Sequence, residues 1–97
     1  MDNFSLEIFD NFFEAVLKLK SIEEARLFFE DVCTVKELEA ISQRLKVASL
    51  LRSGCNYQEI SQRSGASTAT ISRVNKCLMY GSGGYRAVLK ALEDEKK

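Results

Sequence analysis

The sequence predicts an all-α protein of six helices, and three observations carry that reading. Proline is absent and glycine is limited to five residues, three of them in the single cluster GSGG at 81–84, so nothing interrupts long helices before that point. Apolar residues recur at spacings of three and four, the repeat of one helix face. Helix-start signals punctuate the chain: Ser21 with Glu24, Thr34 with Glu37 and Asn56 with Glu59 each place a capping side chain three residues before a glutamate.

Each element follows from its own residues. Over residues 5–20, Phe9, Phe12, Phe13, Val16, Leu17 and Leu19 line one side of a first amphipathic helix. Ser21 opens a second, to about residue 32, carrying Ala25, Phe28, Phe29 and Val32, with its hydroxyl expected on the Glu24 amide and the Glu24 carboxylate reaching back to Ser21. Thr34 and Glu37 start the longest helix, to about residue 53, with Leu38, Ile41, Leu45, Ala48 and Leu51 down one side and Gly54 past its end. Asn56 and Glu59 cap a short fourth helix over 57–64, and Gly65 supplies a residue that tolerates positive φ where the chain turns sharply. Ser67 caps the fifth, to about residue 79. GSGG reads as a flexible hinge into a sixth helix over 85–95, with Val88, Leu89 and Leu92 inward.

With 97 residues the chain is expected to be a single domain, 1–97. Within it, 1–33 would hold the N-terminal helices, 34–80 the long helix and the two that follow, and 81–97 the last helix. All six Phe lie in the first 29 residues, too much aromatic surface for two short helices to cover. Two explanations stand: packing against the third helix, or an interface with a second copy, and the second suits so small a chain better.

Zero formal charge conceals two unlike halves. Residues 1–32 hold eight acids against three bases, and residues 33–97 hold eleven bases against six acids, three of which lie in the last five residues. The positive field therefore falls between Lys36 and Lys90. Cys33, Cys55 and Cys77 form no C-x-x-C pair, and there is no His to complete a zinc site, so they read as reduced thiols of a cytoplasmic protein without metal. No stretch approaches the ~18 apolar residues of a membrane span, and no membrane association is expected.

The segment SGASTATISRVNK, residues 64–76, is where this Phe- and Leu-rich chain turns small and hydroxylated. Short helix, glycine turn and second helix outline a helix-turn-helix, whose second helix enters the DNA major groove. Ile60, Ala66, Ile71, Val74 and Leu78 would form its internal core. At 3.6 residues per turn, Ala69, Ser72, Arg73 and Lys76 fall opposite. Small residues let backbone and hydroxyls approach a groove floor, where hydroxyls bond base edges or phosphates and the Ala and Thr methyls touch a thymine methyl. The competing explanation is tight packing of a small-residue helix against another helix.

The run TVKELEAISQRLKVASLLRSG, continued by NYQEISQRSGASTATISRVNKCL, resembles the bacterial tryptophan repressor superfamily. It is closer still to the YerC/YecD family of Trp repressor-related proteins, GASTATISRVNKCL followed by YG being the most specific part. The resemblance implies a six-helix, interlaced homodimer whose paired helix-turn-helix units bind a palindromic operator as a transcriptional repressor. It implies DNA reading by Thr68, Ala69 and Thr70 with help from Gln58, to which the face and cap above add Ser67, Ser72 and Lys76. The repressor is basic where this chain has Gln58 and Ser61, so site preference is expected to differ.

The repressor holds its corepressor between two arginines, matched here by Arg44 and Arg73, and takes the ligand's amino group on backbone carbonyls near Cys33 and Thr34. It has glycine after the second arginine, where this chain has Val74, whose side chain is expected to fill part of the indole slot. Tryptophan is therefore not expected to be the effector, and no cofactor is expected. Arg44 and Arg73 have an equal alternative as phosphate contacts or partners of Glu37 or Glu59. The alternative function is a helical protein–protein interaction module with a basic face. Catalysis is not expected, there being no His, metal constellation, nucleophile elbow or phosphate-binding glycine loop.

Overall fold

The computed structural model describes residues 3–96, with side chains from Leu6 onward. Among the described residues the elements are all helices: α1 Asn3–Val16, α2 Ile22–Val32, α3 Val35–Arg52, α4 Tyr57–Ser64, α5 Thr68–Tyr80 and α6 Gly84–Glu95. Packing divides the chain into two compact units, up to Leu38 and from Glu39 onward, so the division falls inside α3.

In the first unit, α1 stops at Val16, short of the expected residue 20. The amides of Lys18 and Leu19 bond carbonyls three residues back, to Ala15 and Val16, which tightens the last turn and releases the chain toward the extended Ser21. Ser21 caps α2 as expected, its Oγ accepting from the Glu24 amide at 3.1 Å. The Glu24 carboxylate, however, accepts from the Lys20 amide at 3.2 Å instead of closing on Ser21 itself. Phe12 stacks on Phe28 with ring centroids 6.0 Å apart and meets Phe29 edge-on at 6.1 Å, a geometry in which the positive edge of one ring faces the negative face of another. Phe9, Phe13, Leu17, Leu27 and Val32 stay exposed, and α2 has no buried residue.

The cap at the start of α3 is complete. The Thr34 amide donates to Glu37 Oε1 at 2.8 Å and the Glu37 amide donates to Thr34 Oγ1 at 3.1 Å. Those bonds stabilise the charged carboxylate and hold Glu37 below its ordinary value of 4.5.

The second unit carries the core. Val47, Ala48, Leu50, Ile60, Ala66, Ile71, Val74 and Leu89 are buried together, with Leu51, Cys55, Leu78 and Tyr85 packed against them. The α3 contribution differs from the expected stripe: Ala48 is buried, but Ile41 and Leu45 are exposed, and Val47 and Leu50 take their place. The last turns of α3 are covered on more than one side, so a single stripe does not describe them. At its end the Cys55 amide bonds the Leu50 carbonyl and the Gly54 amide bonds Leu51, a Schellman closure that requires Gly54 at φ 92°. In α6 only Leu89 of the three expected inward residues is buried, and Val88 and Leu92 remain exposed.

The GSGG segment is a bonded corner as well as a linker. The Gly81 amide donates to the Cys77 carbonyl at 2.8 Å, and a Cβ on Gly81 would collide with that same carbonyl oxygen. Arg86 spans the end of α5, Nε donating to Leu78 O at 2.8 Å and Nη2 to Met79 O at 2.9 Å, so a cation meets the negative end of the helix dipole. Arg52 Nε and Glu93 Oε1, 2.7 Å apart, join the end of α3 to α6.

Candidate nucleic-acid interface

The site is built on α4, the turn at Gly65 and α5. Asn56 and Glu59 form the reciprocal cap of α4, with Asn56 N to Glu59 Oε1 at 3.1 Å and Glu59 N to Asn56 Oδ1 at 2.9 Å. Gly65 ends α4 at φ 73°, the left-handed region that costs a side chain strain, and its amide donates to Ser61 O. Ser64 Oγ donates to Ile60 O and accepts from the Ala66 amide, while Ser61 Oγ donates to Ala66 O. These bonds satisfy the turn's polar groups internally and leave Ala66 free to be buried.

Ile60, Ala66, Ile71 and Val74 are buried and Leu78 half-buried, the internal core expected of a helix-turn-helix. With Ile71 and Val74 turned inward, Thr68, Ala69, Ser72, Arg73 and Lys76 are exposed. Ser67 caps α5, accepting from the Thr70 amide at 3.2 Å and donating its own proton to Thr70 Oγ1 at 3.2 Å. Thr70 is half-buried and bonded within the cap, so of the two threonine hydroxyls only that of Thr68 stands without a partner among the described residues. Gln58 is exposed on α4. No acidic residue lies in α5, and the Glu59 carboxylate is held by its cap, so the exposed face keeps the charge of Arg73 and Lys76.

Of the four positions expected of an effector pocket, Arg44, Arg73 and Val74 lie in the second unit and Thr34 in the first. An open cavity of about 620 Å³ in the second unit is lined by Ile41, Arg44, Leu45, Cys77, Tyr85, Val88 and the 81–84 corner. Arg44 is in that lining, and Arg73 and Val74 are not. Val74 is buried in the core of the second unit. Thr34 belongs to the first unit, where its hydroxyl caps α3. Neither arginine pairs with Glu59 among the described residues, and the Glu37 and Glu59 carboxylates each accept a bond in their own helix caps.

Several positioning residues escaped the sequence reading. Gln43 Nε2 donates to Ser64 O at 3.1 Å, tying α3 to the end of α4. Arg86 holds the far end of α5, and Arg63 Nη1 points to Cys55 Sγ at 3.5 Å. Gln43 and Ser64 are 21 residues apart, and no local pattern pairs them. An arginine following a glycine corner is the one signal that could have suggested the Arg86 cap.

Six helices with a short helix, a left-handed glycine turn and a second helix around a shared apolar core define an all-α protein of the helix-turn-helix class. The chain belongs to the Trp repressor protein family, whose model matches residues 7–93, a family of DNA-binding transcription regulators. It is 46% identical over 85 residues to the uncharacterized protein YerC of Bacillus subtilis strain 168, covering 88% of this chain and 82% of that protein. Among solved structures it is similar to a TrpR-like protein from Eubacterium eligens ATCC 27750, with 48% identity, TM-score 0.87 and 90% of each chain covered. It is also similar to a candidate Trp repressor from Staphylococcus aureus, with 43% identity and TM-score 0.88 over 96% of this chain and 95% of that one. Among the described residues no helix is long and apolar enough to cross a membrane.

Proposed function

We propose that this protein is a sequence-specific DNA-binding repressor of transcription, working in the cytoplasm as a homodimer on a palindromic operator. The observation that carries the reading is the outward side of α5, where Thr68, Ala69, Ser72, Arg73 and Lys76 are exposed, without an acid, on a helix anchored from behind by Ile71 and Val74. Thr68 and Ala69 read base edges, Ser67 and Thr70 order the first turn, and Gln58 of α4 approaches the flanking backbone.

Dimerisation is supported by where apolar surface is left uncovered. Every fully buried apolar side chain among the described residues lies between Val47 and Leu89, whereas the first unit exposes Phe9, Phe13, Leu17, Leu27 and Val35. The second unit separately opens a cavity walled by Ile41, Leu45, Tyr85 and Val88. A chain of this size gains from covering such surfaces with a second copy. Two α5 helices then meet one face of the duplex about 34 Å apart.

Tryptophan is not the effector in this reading, because Val74 stands where the Trp repressor has the glycine that gives an indole room against the helix backbone. Selection of sites from random duplex DNA tests the function. Enrichment of a palindrome with half-sites one turn apart is expected, and recovery of no preferred site at moderate salt refutes sequence-specific binding. Calorimetric titration with tryptophan is expected to be silent, and a micromolar response would overturn the reading of Val74.

A further inference from the structure

A polar residue stands in the apolar side of α3. Val47 and Leu50 are buried among Ile60, Ala66, Ile71 and Val74, and at 3.6 residues per turn the residue that continues their stripe toward the start of the helix is Gln43. Gln43 is half-buried, and its Nε2 donates to Ser64 O at 3.1 Å. Among the described residues no other hydrogen bond joins α3 to α4, the turn or α5.

Ser64 is where a grip on the turn reaches furthest. Its carbonyl is among the last of α4, which have no partner inside the helix, and its Oγ donates to Ile60 O and accepts from the Ala66 amide. The α5 cap, Ser67, follows directly after Ala66. Apolar packing of Val47 and Leu50 is non-directional and tolerates a small roll of one helix on another, whereas a hydrogen bond weakens steeply once its length or angle is lost. Gln43 therefore selects one angle among those the apolar core accepts.

We propose that Gln43 is a positioning residue, which holds α4, the turn and α5 at one angle on α3 and so sets the separation of half-sites that the protein accepts on DNA. This rests on the homodimer reading above. There α3 offers Ile41 and Leu45 to the second copy, on a different side from Gln43, Val47 and Leu50, so a tilt of α5 on α3 changes the distance between the two α5 helices. One base pair is about 3.4 Å of that distance and about 36° of rotation around the duplex.

The test is anisotropy with the full chain and no small molecule added, on the palindrome selected from random DNA and on the same duplex with one base pair added or removed at its centre. The wild type prefers the selected spacing. Gln43→Met keeps the length of the side chain without its donor, and a net hydrogen bond of ordinary strength is a factor of about five. The spacing preference of that variant therefore falls by about fivefold for each protomer, about 25-fold for the dimer, while reselection returns the same half-site. Gln43→Lys keeps a donor within reach of the carbonyl and keeps the preference, its added charge acting equally on every spacing. An undiminished preference in Gln43→Met overturns the inference, as does an equal loss in Gln43→Lys or a half-site that changes along with the spacing. Loss of the far-UV helical signal in both variants overturns it too, since the residue is then structural only. Failure of the wild type to enrich any palindrome sinks the DNA-binding reading itself.

Discussion

Opposite sides of α5 are expected to respond differently to truncation, and Ile71→Ala set beside Thr68→Ala makes the comparison. Ile71 has no exposed surface and packs with Ile60, Ala66 and Val74 across the turn. Removing three carbons at about 0.8 kcal/mol each gives roughly 2.4 kcal/mol of lost transfer energy. The cavity left behind adds to that, and the better helix propensity of alanine returns a few tenths, for a net loss of about 3 kcal/mol. For a chain of this length that lowers the melting temperature by about 12–24 °C. Thr68 is exposed, and its truncation is expected to move stability by less than about 0.5 kcal/mol. Its DNA affinity, in contrast, falls by about 1 kcal/mol for each hydroxyl contact removed. Circular dichroism melts at one fixed protein concentration, run beside binding to the selected site, read both quantities. A near-native melt for Ile71→Ala, or a Thr68→Ala melt that falls as far as that of Ile71→Ala, refutes the assignment of the two sides.

Gly65→Ala places a Cβ at φ 73° and is expected to cost about 1–2 kcal/mol in a urea titration, with the nearest atom, Gln43 Nε2 at 3.9 Å, leaving room for the methyl itself. A cost near zero would mean the turn relaxes. Ser67→Ala removes the oxygen that accepts from the Thr70 amide and is expected to lose about 1 kcal/mol of thermal stability, with Ser67→Asp restoring it. Equal losses in both variants would exclude a capping role. Glu37 has its folded carboxyl held below 4.5 by the Thr34 amide, so the unfolded chain binds the proton more readily and stability rises with pH through this interval. The contribution is full above 4.5 and disappears as pH falls through the lowered value, and Glu37→Gln is expected to flatten that part of an acid titration. An unaltered acid limb counts against the cap.

The sequence alone determined the helix count, most starts and the turn, because these depend on residues within one or two turns of one another. A capping side chain three residues before its glutamate, a glycine at a left-handed corner and apolar spacing are local facts, and α4 has the bounds the sequence predicts. The outward face of α5 was legible for the same reason, since helical periodicity separates Ile71 and Val74 from Ala69 and Lys76. Tertiary structure decided what depends on neighbours distant in the chain. Val47 and Leu50, not Ile41 and Leu45, enter the core because helices beyond Gly54 cover that side of α3. Gln43 reaches Ser64, Arg86 closes α5, and Arg44 lines a cavity with Cys77, the 81–84 corner, Tyr85 and Val88. Local backbone preference chooses each helix, but burial and pairing are set by which surfaces meet, and only the folded chain brings those surfaces together.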